Sequence, residues 1–127
     1  MLRLIVAGLC AALLALSAFG HSVIGWSVLA PEVKAAGADD EMLTTLAISW
    51  RLGGAAMLIF SALVVDTLRR HRRDARVSLA PLVIIGAGYC LYGAWAFVTS
   101  GMEPFFFVLF VVPGAVLAAS GIERRDR

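Results

Sequence analysis

The chain has 127 residues, of which 61% are hydrophobic and only 16% are charged. Its mean hydropathy is +0.88. Soluble domains are closer to half apolar and a quarter charged, so this composition excludes an ordinary water-soluble globular fold. The charged residues lie in short stretches between long apolar runs, which is the distribution that a lipid environment imposes.

Four apolar runs follow one another along the chain. They cover residues 2–30, 42–68, 77–98 and 104–122. Each reaches about the 20 residues that a helix needs to cross a hydrocarbon core of about 30 Å. Strands of a membrane barrel would alternate with a period of two residues, which these runs do not. The sequence therefore predicts an all-α integral membrane protein, a single domain over 1–127 built as an antiparallel four-helix bundle.

The first run resembles a secretory signal peptide in its basic start and in the small residues of Ser17–Gly20. The apolar pattern continues to Ala30, so we expect a retained helix and not a cleaved leader. Proline does not continue a helix comfortably, and the first loop is therefore predicted to begin at Pro31. Asp39 or Asp40 is expected to cap the second helix.

The distribution of basic residues predicts the orientation of the chain. If the N-terminus is cytoplasmic, nine of the eleven Lys and Arg residues lie on the inner side: Arg3, Arg69, Arg70, Arg72, Arg73, Arg76, Arg124, Arg125 and Arg127. The outer loops then carry only Lys34, while Arg51 lies within the second run. Because basic residues concentrate on the cytoplasmic side, both termini are predicted to be cytoplasmic.

Small residues at helical spacing predict where the helices pack, because close packing and not apolar area drives helix association in lipid. The stripes are Ala7, Ala11 and Ala15; Ser49 and Gly53; Gly86, Cys90 and Ala94; and Gly114, Ala118 and Ile122. The alternative is that this spacing arises by chance, since Ala and Gly are common in membrane helices. The phenylalanines at 105, 106, 107 and 110 are expected to meet lipid or a partner.

A charged residue within a span is costly to insert and is therefore a candidate functional residue. Arg51 is such a residue, about nine positions from the predicted outer end of its span. Other polar and aromatic groups expected at a similar level are His21, Tyr92, Trp95 and Glu103. One ligand-binding pocket could gather these residues with Arg51, whose guanidinium would form a two-pronged contact with a carboxylate or phosphate. The alternative is an interfacial aromatic belt in which Arg51 pairs with Glu103 or with the first loop.

The segment between the second and third runs is rich in arginine. It contains Arg69, Arg70, Arg72, Arg73 and Arg76. This segment is a candidate contact for anionic lipid, although its role as a topology signal explains it equally well. Asp66 lies one turn before the segment and is expected to pair with Arg69 or Arg70.

Several classes of function are not indicated. His21 is the only histidine within a predicted span, so no metal site and no cofactor are expected. No nucleophile–base set is apparent, which argues against an enzyme. Nucleic acid is not an expected partner, because no basic domain carries base-stacking aromatics. The expected partners are the lipid bilayer and, as alternatives, other membrane-protein subunits or further copies of the chain.

Three features carry a family resemblance: the run Gly20–Gly25, the run Trp50–Gly54 and the arginine-rich segment. Together they resemble uncharacterised small four-span bacterial inner-membrane proteins. The resemblance covers most of the chain and implies a fold and an inner-membrane location, with no established activity. Small multidrug transporters share the size and the four spans. Their defining feature is a glutamate in the first span, and the chain has no acidic residue between Leu2 and Ala30.

The sequence therefore favours a non-enzymatic accessory or small-ligand-binding subunit, with its site on the outer side around His21 and Arg51. The alternative is a small homo-oligomeric transporter or channel. A transporter needs a polar route across the bilayer, and the inner halves of the predicted helices offer little beyond Cys10 and Ser61.

Overall fold

The computed structural model describes residues 1–122, and helices joined by turns account for that range. Four helices are long and apolar enough to span a membrane: α1 (Leu2–Ala35), α2 (Asp40–Arg73), α3 (Ala80–Thr99) and α4 (Pro104–Gly121). This finding confirms the predicted all-α class and the four candidate spans. The predicted inner charges Arg124, Arg125 and Arg127 lie outside the described residues.

Helices α1 and α2 extend beyond the apolar runs that predict them. Helix α1 passes through Pro31 and ends at Ala35, so the prediction that the loop begins at Pro31 is wrong. A proline removes only one intrahelical hydrogen bond, and the last turn after it closes with the Ala36 N–H donating to the Glu32 carbonyl at 3.0 Å. Helix α2 likewise continues through the first arginines to Arg73.

The α1–α2 turn is closed by backbone and side-chain caps. Gly37 adopts a left-handed φ of +98°, and its N–H donates to the Lys34 carbonyl at 3.0 Å. The Ala38 N–H reaches back to the Val33 carbonyl at 3.3 Å, which completes a Schellman motif. The Asp39 carboxylate then accepts the Met42 N–H at 2.8 Å and confirms the predicted cap of α2.

The α3–α4 turn is closed by the same kind of motif. Gly101 has a φ of +78°, and the following Met102 N–H donates to the Phe97 carbonyl at 2.8 Å. Pro104 then opens α4, at a position where its missing N–H would have no intrahelical partner. Two glycines, neither of them used in the prediction of the spans, thus end α1 and α3.

Two helices contain a π-helical turn, which inserts one extra residue per turn and changes the direction of the side chains around it. In α1 this turn covers Gly20–Gly25. In α4 it covers Phe107–Val111, immediately before Pro113, and the Val112 N–H donates to the Phe107 carbonyl. The Cys90 thiol of α3 donates to the Val111 carbonyl at 3.5 Å, so a neighbouring helix satisfies one acceptor of the widened turn.

The chain divides into two compact units. The first, the hairpin unit, is Ala12–Ser61 and contains the facing halves of α1 and α2 with their turn. The second, the α3–α4 unit, contains Met1–Ala11 and the chain from Ala62 onward. Its fully buried side chains include Val64, Leu79, Leu82 and Leu117.

Helices α3 and α4 approach each other backbone to backbone. A Cβ added to Gly86 would lie 2.5 Å from the Gly114 carbonyl oxygen and would also collide with the Ala118 amide nitrogen. The predicted stripe on α3 is partly wrong, because Ala94 is exposed. Its place is taken by Gly93, where a Cβ would lie 2.6 Å from the Phe110 Cβ. Gly86, Cys90 and Gly93 follow the spacing i, i+4, i+7, which is as regular on a helix face as the predicted i, i+4, i+8.

Candidate functional site

In the hairpin unit, His21 of α1 and Trp50 of α2 form a reciprocal pair. Their rings stack with centroids 4.2 Å apart and planes inclined by 12°. The Trp50 indole N–H donates to the His21 carbonyl at 2.5 Å. His21 Nε2 lies 3.0 Å from the Trp50 carbonyl oxygen, and because a carbonyl can only accept, Nε2 carries the proton in this contact. Each helix thus supplies one donor and one acceptor to the other.

Two glycines make room for this pair, and a third allows α2 to approach Ser22 beside it. A Cβ on Gly53 would lie 3.1 Å from His21 Nε2, and a Cβ on Gly25 would lie 3.1 Å from a ring carbon of Trp50. Gly54 is buried, and a Cβ there would collide with the Ser22 hydroxyl. The seam of α2 is therefore Gly53 with Gly54. Ser49, the other member of the predicted stripe, is exposed.

Two short sequence runs form the two sides of this contact. The run Gly20–Gly25 is the π-helical turn of α1, and the run Trp50–Gly54 is the facing segment of α2. Sequence reasoning selected His21 but did not identify Trp50 as its partner. The sequence does contain a signal for this contact. One helix has a histidine beside small residues, and the next has an aromatic residue beside two glycines.

Arg51 follows Trp50 directly and is exposed. Within residues 1–122 the ion pairs are Lys34–Asp40 at 3.8 Å and Asp66–Arg70 at 2.8 Å. Arg51 therefore has no ionic partner among the residues that the structure describes. Its neighbour Trp50 is stacked on and hydrogen-bonded to His21, while no hydrogen bond joins the Arg51 guanidinium to another side chain or carbonyl within residues 1–122.

The other predicted site residues belong to the α3–α4 unit. Tyr92 and Trp95 are 54% and 61% exposed, with ring centroids 5.7 Å apart. Tyr92 also meets Phe110 edge to face at 5.2 Å. Glu103 is exposed at the start of α4, where its N–H donates to the Ser100 hydroxyl at 3.4 Å. The structure thus brings Tyr92 and Trp95 together on α3, while the described contact of Glu103 is with Ser100 in the turn before α4.

The arginine-rich segment divides into paired and free side chains. The Asp66 carboxylate accepts from Arg70 Nε at 2.8 Å, which confirms the expected pair one turn apart. The side chains of Arg69, Arg72, Arg73 and Arg76 are exposed. His71 Nδ1 lies 2.7 Å from the Val77 carbonyl oxygen and anchors the end of α2 to the turn that follows.

No group of three or more His, Cys, Asp or Glu side chains within residues 1–122 could hold a metal ion. A shallow open depression lies at the start of α2, lined by Asp39, Glu41, Met42, Thr45 and Leu46. All of its walls come from one short stretch of chain, so it encloses nothing. Comparison with protein-family models, curated proteins and solved structures finds no match for this chain.

Proposed function

We propose that the chain is a four-span protein of the bacterial inner membrane, with both termini in the cytoplasm, that acts as a non-enzymatic accessory subunit binding a small anionic ligand through Arg51. The orientation is supported by the one-sided distribution of arginine. The ligand class is supported by an arginine that is exposed and unpaired among the described residues.

The length of α2 supports a position for Arg51 at the outer edge of the bilayer. Helix α2 has 34 residues and is about 51 Å long at 1.5 Å per residue, about 20 Å more than the hydrocarbon core. Counting about 20 residues back from Leu68, where the arginines begin, the apolar span starts near Ser49. Arg51 then lies within snorkelling reach of the outer headgroups and water.

The length of α1 gives the same level independently. Counting about 20 residues forward from Arg3 places the outer edge of the core near Val23. His21 therefore lies at the level of Trp50, which its direct contact requires. The cluster of His21, Trp50 and Arg51 is at the level where aromatic residues prefer the membrane interface.

The chemistry of Arg51 defines the ligand class. A guanidinium offers two parallel N–H donors that match a carboxylate or a phosphate, and such charge-assisted forks are stronger than neutral hydrogen bonds. His21 Nε2 bonds to the Trp50 carbonyl and the His21 carbonyl accepts from the Trp50 indole, so His21 positions α1 against α2 beside Arg51. The single observation that carries the proposal is the free guanidinium beside a fixed neighbour.

The orientation is tested with reporter fusions after Arg73 and after Arg127. Both fusions are expected to report the cytoplasm, because the arginines of the arginine-rich segment and of the C-terminus resist translocation. A fusion within the α1–α2 turn, after Gly37, is the matched control and should report the periplasm. A periplasmic signal after Arg73 or Arg127 would contradict the proposed orientation.

The ligand class is tested by calorimetry on the full chain in lipid nanodiscs, with inorganic phosphate and acetate as separate probes. Binding of at least one probe is expected to disappear in Arg51→Leu and to stay absent in Arg51→Lys, because lysine cannot form the fork. Lys34→Leu is the matched control, since Lys34 already pairs with Asp40. Unchanged binding in Arg51→Leu, or an equal loss in Lys34→Leu, would refute the role of Arg51.

A further inference from the structure

In the α3–α4 unit, helix ends that are far apart in the sequence meet at one end of this unit. The Arg3 guanidinium donates to the Ile122 carbonyl at 3.3 Å, which joins the start of α1 to the end of α4. One residue earlier, a Cβ on Gly121 would lie 2.9 Å from the Leu79 carbonyl oxygen, so the end of α4 also touches the start of α3.

The end of α2 belongs to the same group of contacts. His71 Nδ1 is 2.7 Å from the Val77 carbonyl oxygen, two residues before Leu79. The Asp74 carboxylate accepts the Arg76 N–H at 3.0 Å and holds the turn between α2 and α3. The N-terminal arginine and the arginine-rich segment, which are separated by more than sixty residues of sequence, are thereby brought to one end of this unit.

Most of the charge at this end is not neutralised by described residues. Arg70 is the exception, since its Nε lies 2.8 Å from Asp66. The other exposed arginines at this end have no ion pair within residues 1–122: Arg3, Arg69, Arg72, Arg73 and Arg76. Arg3 uses one of its five donors on the Ile122 carbonyl and keeps the rest.

We propose that these five arginines form one surface, the basic end surface, that binds the headgroups of anionic phospholipids in the adjacent leaflet. The arginines of α2 begin immediately after Leu68, where the apolar stretch of this candidate span ends, and this position corresponds to the headgroup level of a bilayer. Arginine forks match phosphate oxygens, and each basic residue near an anionic membrane surface contributes about 1 kcal/mol. The sequence alone indicates only the segment 69–76; the contacts of the structure add Arg3.

This proposal does not depend on Arg51, which lies in the other unit. It commits to a lipid surface because the arginines follow the ends of membrane-spanning helices. A soluble polyanion such as RNA would require them to face away from the bilayer. An experiment can distinguish lipid from RNA. A bound lipid stays on the protein when the protein is released from the membrane, whereas RNA would compete for the arginines from solution.

The test is native mass spectrometry of the full chain released from nanodiscs that contain equal amounts of phosphatidylglycerol and phosphatidylcholine. Wild-type protein should retain phosphatidylglycerol preferentially. Arg3→Gln and Arg76→Gln, one in each chain segment, should each reduce that preference about five-fold, the equivalent of about 1 kcal/mol. Single substitutions leave the remaining arginines to hold the orientation of the chain.

The matched control is the double variant Asp66→Asn with Arg70→Gln, which removes one positive and one negative charge that already neutralise each other. Its preference for phosphatidylglycerol should equal that of the wild type. Equal retention of the two lipids by the wild type, an unchanged preference in Arg3→Gln, or displacement of the lipid by an RNA oligonucleotide would each overturn the proposal.

Discussion

In the hairpin unit two helices meet through an imidazole and an indole, whereas in the α3–α4 unit they meet through glycine backbones. The first contact consists of a ring stack at 4.2 Å and two reciprocal bonds between side chains and carbonyls. The second has Gly86 and Gly114 so close that neither position can accept a Cβ. The first seam depends on polar groups and the second on close packing.

The lengths of the helices explain why the two seams differ. Helices α3 and α4 have 20 and 18 residues, close to what a hydrocarbon core requires. Apolar area gives them no advantage over lipid, so close backbone approach must hold them together. Helices α1 and α2 have 34 residues each and extend beyond the core, where aromatic rings and polar groups are favourable. The two pairs of helices thus differ both in length and in the chemistry of their contact.

The largest expected effect comes from filling the glycine seam. Gly86→Ala should destabilise the protein by about 1–3 kcal/mol, because the new methyl group meets the backbone of α4 and not a flexible side chain. The matched control is Gly88→Ala, on the same helix with nothing within 4 Å of the added Cβ. Unfolding in detergent with increasing denaturant measures both. Equal stability of the two variants would show that α3 and α4 do not pack through Gly86.

A smaller effect is expected in the polar seam. Trp50→Phe keeps an aromatic ring against His21 but removes the indole N–H that bonds the His21 carbonyl. The expected loss is about 0.6–1.7 kcal/mol, the range measured for hydrogen bonds between membrane helices. The same unfolding measurement applies, with Trp95→Phe as the control because Trp95 is largely exposed. If Trp95→Phe costs as much as Trp50→Phe, the reciprocal bond does not stabilise the hairpin.

The sequence predicts the fold better than it predicts the contacts within it. Four spans and the Asp39 cap follow from apolar length and from capping chemistry, which are local properties. The seam residues are less predictable, because a helix face admits both i+7 and i+8 spacing: Gly93 replaces Ala94 on α3. The continuation of α1 through Pro31 was also missed, since a helix that leaves the bilayer does not need apolar residues.

Only part of the candidate site could be found from residue types. His21 and Arg51 stand out because polar groups within apolar runs are rare. The contact between His21 and Trp50 depends on how α1 and α2 are aligned along their axes. Hydropathy predicts that alignment only to within about one helical turn. Only their expected level in the membrane groups Tyr92, Trp95 and Glu103 with His21 and Arg51 in the prediction. In the structure Tyr92 contacts Trp95 and Phe110, and the Glu103 N–H bonds to Ser100.

The smallest effect is expected at the exposed ion pair of α2. Arg70→Gln breaks the contact with Asp66 and should reduce the free energy of unfolding by about 0.3–0.5 kcal/mol, as for other exposed pairs one helical turn apart. Arg69→Gln removes the same charge from an adjacent position without breaking a pair. The two variants should differ by that amount at low salt and converge at high salt. A difference that persists at high salt would argue against a simple ion pair.

The central claim is that Arg51 is held beside a fixed neighbour with its guanidinium free for an anion. The most direct measurement is NMR of the arginine Nε–H groups of the full chain in nanodiscs during titration with inorganic phosphate and acetate, with Arg51→Lys identifying the Arg51 signal. We predict that this signal shifts and saturates with at least one probe, while the indole signal of Trp50 stays fixed. Arg51→Leu should change the free energy of unfolding by no more than about 0.5 kcal/mol, because no described ion pair is lost. An Arg51 signal that both probes leave unchanged would contradict the account.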